Sequence, residues 1–334
     1  MALGGFWVIS GLYIDLSYHL RNDAESFFTP AHAFLYAGLG FLIFVTALVV
    51  LARRQEGRSG RDLLPEGYQV AGIGIAVFSL GGVADLIGHT FLGFETAFNA
   101  LLSPSHETIG VGIMLMMVGP LRAALLVAPR PATLAQQLPL LIAAASLLEL
   151  VRWGTHYLFL SGAERLYAPY AEPSATQEAL TIMTLAFNKQ GTGLTSLIVE
   201  SLFIVGIMLY LVRNFRLRPG ALTLVFVLGT LLIAFAESTS WLQAWGFMIA
   251  SVFSGVAGDL IVARTPDIRA NRARYAMLAI AVPVIFEATC LLWVIAFLGG
   301  TWWSPSFAIG SLVYCGIFSL LLSYAAYAET SEAR

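Results

Sequence analysis

Charged residues are scarce in this 334-residue chain: Asp, Glu, Lys and Arg together make up 11% of it, whereas hydrophobic residues make up 58%. The mean hydropathy is +0.79. An ordinary soluble domain carries about 25% charged residues, so the composition excludes that class and favours an integral membrane protein. The net charge of −2 gives no reason to expect a nucleic-acid partner.

Cysteine is nearly absent, and the two cysteines, Cys290 and Cys315, both lie inside apolar runs. This pattern excludes a disulfide framework and a thiolate metal cluster. The N-terminus lacks a basic segment and a small-residue cleavage site, so we expect the first apolar stretch to be a retained span rather than a signal peptide.

Long apolar runs, separated by charged residues, proline or glycine, fill the chain. A helix needs about 20 apolar residues to cross a bilayer. We therefore predict an all-α fold, a polytopic transmembrane helical bundle of about ten spans that forms a single integral membrane domain over residues 1–334. The spans are predicted near residues 4–20, 31–52, 68–91, 105–128, 135–160, 191–212, 221–238, 243–263, 275–298 and 305–328.

Arginines are concentrated at alternate ends of these spans, and by the positive-inside rule that side is cytoplasmic. We therefore predict a prokaryotic cytoplasmic (inner) membrane protein with both termini in the cytoplasm. The arginines are Arg53, Arg54, Arg58, Arg61, Arg122, Arg130, Arg213, Arg216, Arg218, Arg264, Arg269, Arg272 and Arg274. In this topology the histidines all lie at outer, periplasmic ends of spans: His19, His32, His89, His106 and His156.

The first helix hairpin places three metal-ligating residue types together. Asp15 and His19 are four residues apart, so on a helix they share one face, one turn apart. Thr29 suits a helix N-cap and Pro30 the first helical position, which puts His32 in the first turn of the second span. The hairpin therefore predicts a metal site that consists of Asp15, His19 and His32.

The second hairpin repeats this plan in the same order, so residues 4–128 are predicted to contain duplicated metal-binding hairpins. Asp85 and His89 end the third span, and Ser103 and Pro104 precede His106 at the start of the fourth. The ligands predicted for this second site are Asp85, His89 and His106, and the carboxylates that could orient its imidazoles are Glu95 and Glu107. For Glu107, the alternative is a helix-start carboxylate that the helix dipole favours.

A weaker third copy has Arg152 where the first two have aspartate, followed by His156. Because a cation replaces the carboxylate, we expect this copy to bind no metal itself. Glu149 lies one turn before Arg152 and could pair with it. Residues 135–334 are otherwise predicted to form additional transmembrane helices, and their role stays open.

The aspartates give the strongest reason to expect a cation. A carboxylate in a membrane span costs roughly 2.5 kcal/mol or more at the helix centre, and two of them in the same position beside histidine need a compensating charge. Iron(II), zinc and copper all accept imidazole and carboxylate ligands. The ligand types alone therefore do not choose the metal.

These motifs resemble a family, the copper-dependent particulate membrane monooxygenases that oxidise methane, ammonia or short hydrocarbons, and within it the subunit that bears an Asp, His and His copper site. The first matching stretch is Asp15-x3-His19 with Arg21-Asn22-Asp23 and Thr29-Pro30-Ala31-His32, and the second is Gly88-His89-Thr90-Phe91 with Glu95 and Pro104-Ser105-His106. The resemblance covers about residues 5–115. The family has asparagine where this chain has Asp85, and the interval between His89 and His106 is longer here.

The resemblance implies copper as the cofactor, with zinc or iron as alternatives, and a candidate monooxygenase that uses O2 on a small apolar substrate arriving through the bilayer. It also implies other monooxygenase subunits or a homo-oligomer as partners. The catalytic residues stay unassigned. A second hypothesis is a membrane protein for copper transfer, storage or sensing without oxygenase activity. A third, a haem protein, is disfavoured because axial histidines do not need a carboxylate one turn away.

Overall fold

The computed structural model describes residues 1–21, 27–91, 93, 102–126, 133–155, 177–236, 241–301 and 303–332. Within these ranges the secondary structure is helical, and a 3₁₀ turn, Gly60–Leu63, lies between the second and third α-helices. The α-helices are α1 (Ala2–Arg21), α2 (Pro30–Gln55), α3 (Gln69–Phe91), α4 (Pro104–Leu126), α5 (Leu134–Gly154), α6 (Gln177–Asn214), α7 (Ala221–Ala236), α8 (Trp241–Ala263), α9 (Arg272–Phe297) and α10 (Pro305–Glu332).

Eight of the described helices are long and apolar enough to cross a bilayer, namely α2, α3, α4, α5, α6, α8, α9 and α10. They also carry large apolar side chains on their outer faces, such as Phe44 at 62% exposure and Leu80 at 69%. Such faces are stable only against lipid or another apolar surface. The prediction of an all-helical integral membrane protein is therefore confirmed.

The helix starts near the histidines follow from local hydrogen bonding. The backbone N–H of His32 donates to the Thr29 hydroxyl at 3.1 Å, and Pro30 is the first residue of α2, as predicted. The fourth helix repeats this arrangement, since the N–H of His106 donates to the Ser103 hydroxyl at 3.3 Å. These caps satisfy donors that a helix leaves unpaired at its N-terminus.

The described chain forms two compact units, one of Met1–Gly154 with Leu231–Ser238 and the other of Thr155–Thr230 with Thr239–Arg334. The first unit contains both predicted metal-binding hairpins and α5. The organisation of all 334 residues as one membrane domain stays a prediction.

Small residues bring the helices of the first unit into close contact. A Cβ atom added to Gly112 of α4 would lie 2.5 Å from the backbone nitrogen of Phe78 of α3. A Cβ added to Gly11 of α1 would lie 2.7 Å from the Cα of Leu35 of α2. Because glycine lets backbones approach this closely, each hairpin is tight and its aspartate and histidines are held near one another.

A buried ion pair ties α5 to α1. The Arg152 guanidinium lies 2.7 Å from Glu149 Oε1, and the two side chains are 3% and 0% exposed. Tyr13 of α1 donates its hydroxyl to the carbonyl oxygen of Glu149 at 3.0 Å. The predicted pairing of Glu149 with Arg152 is confirmed, and it fixes α1 two residues before Asp15.

We expect Arg152→Met to destabilise the protein by about 3–5 kcal/mol, because it leaves the Glu149 carboxylate buried without its cation. The double variant Glu149→Leu/Arg152→Met removes both charges and should regain most of that stability. Thermal unfolding in detergent measures both. A single variant as stable as the double variant would contradict a buried charge pair.

In the second unit, α8 anchors the start of α7. Asp259 accepts hydrogen bonds from the backbone N–H groups of Leu222 at 3.1 Å and Thr223 at 3.0 Å. This carboxylate therefore satisfies N-terminal donors of α7. Two further acidic residues of this unit, Glu200 of α6 and Glu287 of α9, are buried within apolar helices.

Candidate metal centre

Four helix ends of the first unit meet in one buried cluster. The last turns of α1 and α3 each carry an aspartate and a histidine, and the first turns of α2 and α4 each carry a histidine. The residues of this cluster, which we call the His/Asp cluster, are Asp15, His19, His32, Asp85, His89 and His106. Each is between 2% and 8% exposed.

The first predicted set of ligands lies close together. Asp15 Oδ1 is 3.1 Å from His32 Nε2, and Asp15 Oδ2 is 3.6 Å from His19 Nε2. The ligand atoms of these residues all lie within 4.8 Å of one another. Asp15 and His19 come from adjacent turns of α1, and α2 returns His32 to them, which is the arrangement that the hairpin spacing predicts.

The second set is also brought together by its hairpin. Asp85 Oδ1 lies 3.3 Å from His89 Nε2 and 3.2 Å from His106 Nε2. The longer interval between the two histidines therefore does not remove His106 from Asp85.

The two sets are not separate in space. His32 Nε2 lies 3.8 Å from Asp85 Oδ2, across the two hairpins. The ring of His19 lies 5.7 Å from that of His89 and 5.6 Å from that of His106. Ligand atoms also lie within 4.8 Å of one another in the mixed groups His19, His89, His106 and His32, Asp85, His89. The sequence predicts two neighbouring sites, whereas the structure joins their residues in one cluster.

His32 is oriented by the backbone behind it. Its Nδ1 lies 2.6 Å from the carbonyl oxygen of Phe27. A carbonyl oxygen only accepts hydrogen bonds, so Nδ1 carries the proton and donates it. The neutral ring then has its lone pair on Nε2, which faces the aspartates. A histidine that binds a metal is usually held in this way by a carbonyl or carboxylate at its other nitrogen.

Asp85 is held by two hydroxyl groups that reasoning from the sequence did not identify. Tyr36 donates to Asp85 Oδ2 at 3.0 Å, and Ser105 donates to Oδ1 at 3.3 Å. Both positions had a signal, because Tyr36 lies one turn after His32 and Ser105 directly precedes His106. Gly82 leaves room for the phenol ring, since a Cβ there would lie 2.7 Å from Tyr36 Cε1.

We expect Tyr36→Phe to lower the metal affinity of the cluster by about 10- to 100-fold, because it removes a hydrogen bond that orients Asp85. Competition with a chromophoric chelator measures the affinity. Tyr68→Phe, at the other end of the third span, is the matched control and should bind metal as the wild type does. An unchanged affinity in Tyr36→Phe would show that this hydrogen bond does not support the ligands.

The charge of the cluster favours a cation. In the part of the chain that the structure describes, the ion-pair partners of Asp15 and Asp85 are all histidines. If these imidazoles are neutral, two buried carboxylates lack a compensating charge, which is costly in an apolar surrounding. Imidazole and carboxylate together are a donor set for first-row transition metals. The residues present therefore fit a metal ion.

The remaining predicted residues lie elsewhere. The side chain of Glu107 is exposed, although it directly follows His106. This position agrees with the alternative of a carboxylate in the first turn of a helix. Glu95 and His156 lie outside the described residues. Cys290 and Cys315 are buried in the second unit.

An apolar groove of about 640 Å³ lies beside the cluster, with His32 and Tyr36 in its wall. Its other lining residues come from the start of α2 and the later half of α3, and include Phe27, Phe28, Leu39, Val83 and Leu86. Phe28 is 86% exposed and Val83 is 56% exposed, so the groove is open at the apolar outer face of the unit.

The helices and this cluster define an all-helical integral membrane protein with a buried group of histidines and aspartates that could hold a metal ion. Comparisons with protein-family models, with curated proteins and with solved structures found no match to this chain. The function is therefore argued from the geometry of the cluster and from the motifs in the sequence.

Proposed function

We propose that this chain is a copper-binding membrane protein and the metal-bearing subunit or catalytic protein of a monooxygenase. The observation that carries the proposal is the buried His/Asp cluster, in which His32 directs Nε2 toward two carboxylates. The ligand types support a transition metal. The resemblance of the two ligand motifs to those of the copper-dependent membrane monooxygenases favours copper over zinc or iron.

When bound, copper would supply the redox chemistry that activates O2 for insertion into a C–H or N–H bond. The chain's own residues would hold the ion, exclude water and admit the substrate. Burial of all six cluster residues excludes bulk water, and the apolar groove beside His32 offers a small apolar molecule a path from the bilayer.

We also propose that all ten described α-helices cross the membrane, with α1 and α7 as the two spans beyond the eight strongest. In the first unit, Arg53 and Arg54 occupy the last turn of α2, whereas His32 lies in its first turn. The positive-inside rule then places the arginines in the cytoplasm and the His/Asp cluster toward the periplasm of a prokaryotic inner membrane. Both termini would be cytoplasmic.

Single cysteines placed in four loops test this orientation with a membrane-impermeant thiol reagent. Residues 54–66 and 264–274 should react only after the membrane is opened, and residues 21–28 and 162–176 should react in intact cells or spheroplasts. Labelling of the 54–66 loop from outside would overturn both the orientation and the periplasmic location of the cluster.

The oxygenase itself is tested in membranes from cells that express the chain with any genetically adjacent subunits. Product formation from a short hydrocarbon or from ammonia should depend on copper, O2 and a reductant, and His32→Ala should abolish it. Copper that stays bound to the wild type while no substrate is oxidised would instead identify a protein for copper transfer, storage or sensing.

A further inference from the structure

Asp85 occupies a different position from Asp15 in the cluster. Asp15 contacts histidines of its own hairpin, His19 and His32. Asp85 contacts both histidines of its own hairpin and also His32 of the other hairpin. The duplication is therefore not symmetric in space, and Asp85 is the carboxylate that connects the two sets of ligands.

The two oxygens of Asp85 face different sets of imidazoles. Its Oδ1 lies 3.3 Å from His89 Nε2 and 3.2 Å from His106 Nε2, whereas its Oδ2 lies 3.8 Å from His32 Nε2. An ionised carboxylate accepts at both oxygens. One oxygen is thus available to an ion held by the second hairpin and the other to an ion held by the first.

We propose that the His/Asp cluster is a single two-metal centre in which the Asp85 carboxylate bridges the ions. Asp15, His19 and His32 hold one ion and His89 and His106 hold the other, with one Asp85 oxygen on each. This inference rests on the proposed function, since it requires that the cluster binds metal. In protein centres with two ions, the metals lie about 3.5–4 Å apart and share ligands.

The surroundings of the cluster fit this arrangement. Tyr36 and Ser105 each donate a hydrogen bond to a different oxygen of Asp85, which fixes the plane of the carboxylate between the two hairpins. Two copper(I) ions would also balance the two buried carboxylates charge for charge. An asparagine at this position would offer a single oxygen, so the bridge depends on aspartate.

Electron paramagnetic resonance of the purified full chain loaded with copper(II) alone tests the bridge. Two copper(II) ions that share a carboxylate couple their spins, whereas isolated ions give a signal equal to the copper content. The wild type should bind about two ions per chain, and only a small minority of that copper should be visible. Asp85→Asn keeps the shape and the imidazoles but removes one bridging oxygen, so nearly all of its bound copper should become visible.

Glu107→Gln makes the same type of change at the exposed carboxylate beside His106, and its signal should stay as small as that of the wild type. A wild-type signal that accounts for all of the bound copper would overturn the shared centre while the copper-binding proposal stands. Coupling that persists in Asp85→Asn would assign the bridge to another group. Wild-type protein that binds no copper would overturn the proposed function as well.

Discussion

Replacement of His32 by alanine should remove most of the bound metal from the purified protein. His32 is the histidine that lies against both aspartates, at 3.1 Å from Asp15 and 3.8 Å from Asp85, so its loss affects both sets of ligands. Since metal ligands bind together, the loss of one imidazole lowers the occupancy of the whole site. Elemental analysis of protein purified without added metal measures the effect.

The matched control is His156→Ala, which makes the same change at the histidine of the weak third copy. That copy has Arg152 in place of a carboxylate, so the variant should keep nearly all of the wild-type metal. Equal metal contents in His32→Ala and His156→Ala would contradict the assignment of His32 as a ligand.

Asp15→Asn should weaken metal binding by about 100- to 1,000-fold without loss of folding. The amide has the shape of the carboxylate but lacks its charge, and removal of one partner of a buried charge pair costs about 3–5 kcal/mol, where about 1.4 kcal/mol is tenfold in affinity. Copper titration against a chelator of known affinity gives the change. Size-exclusion chromatography and thermal unfolding report the fold.

Asp62→Asn is the control for this charge change. Asp62 lies in the 3₁₀ turn after α2 and is exposed, so its amide variant should bind metal as tightly as the wild type. An Asp15→Asn variant with wild-type affinity would show that the anion at position 15 does not stabilise a cation.

The sequence was sufficient for the helices and for each set of ligands within its hairpin. Apolar length predicts a span because a bilayer imposes that length, and the order Thr29, Pro30 predicts a helix start because both residues fit it locally. The step from Asp15 to His19 likewise fixes one helix face. These features depend on residues close in the chain, so they need no knowledge of packing.

The joining of the two hairpins could not be read from the sequence. The contact of His32 with Asp85 depends on how α2 packs beside α3, and that depends on small residues such as Gly82, which leaves room for Tyr36. Glycines are frequent in this chain, and the sequence does not tell which of them faces a neighbouring helix. The approach of Asp85 to the other hairpin is therefore a result of tertiary packing.

Glu107 illustrates the same limit on a smaller scale. Its position beside His106 suggested a carboxylate behind an imidazole, but adjacent residues on a helix point about 100° apart. His106 is buried and Glu107 is exposed. Adjacency in sequence thus gave a candidate without indicating its direction.

Elemental analysis of the full chain purified in detergent tests the central claim most directly. The His/Asp cluster should retain a transition metal, with copper as the expected element, and a variant with alanine at His19, His32, His89 and His106 should retain almost none while it still elutes as a folded protein. A wild type that holds no more metal than that fourfold variant would contradict a metal centre at these residues.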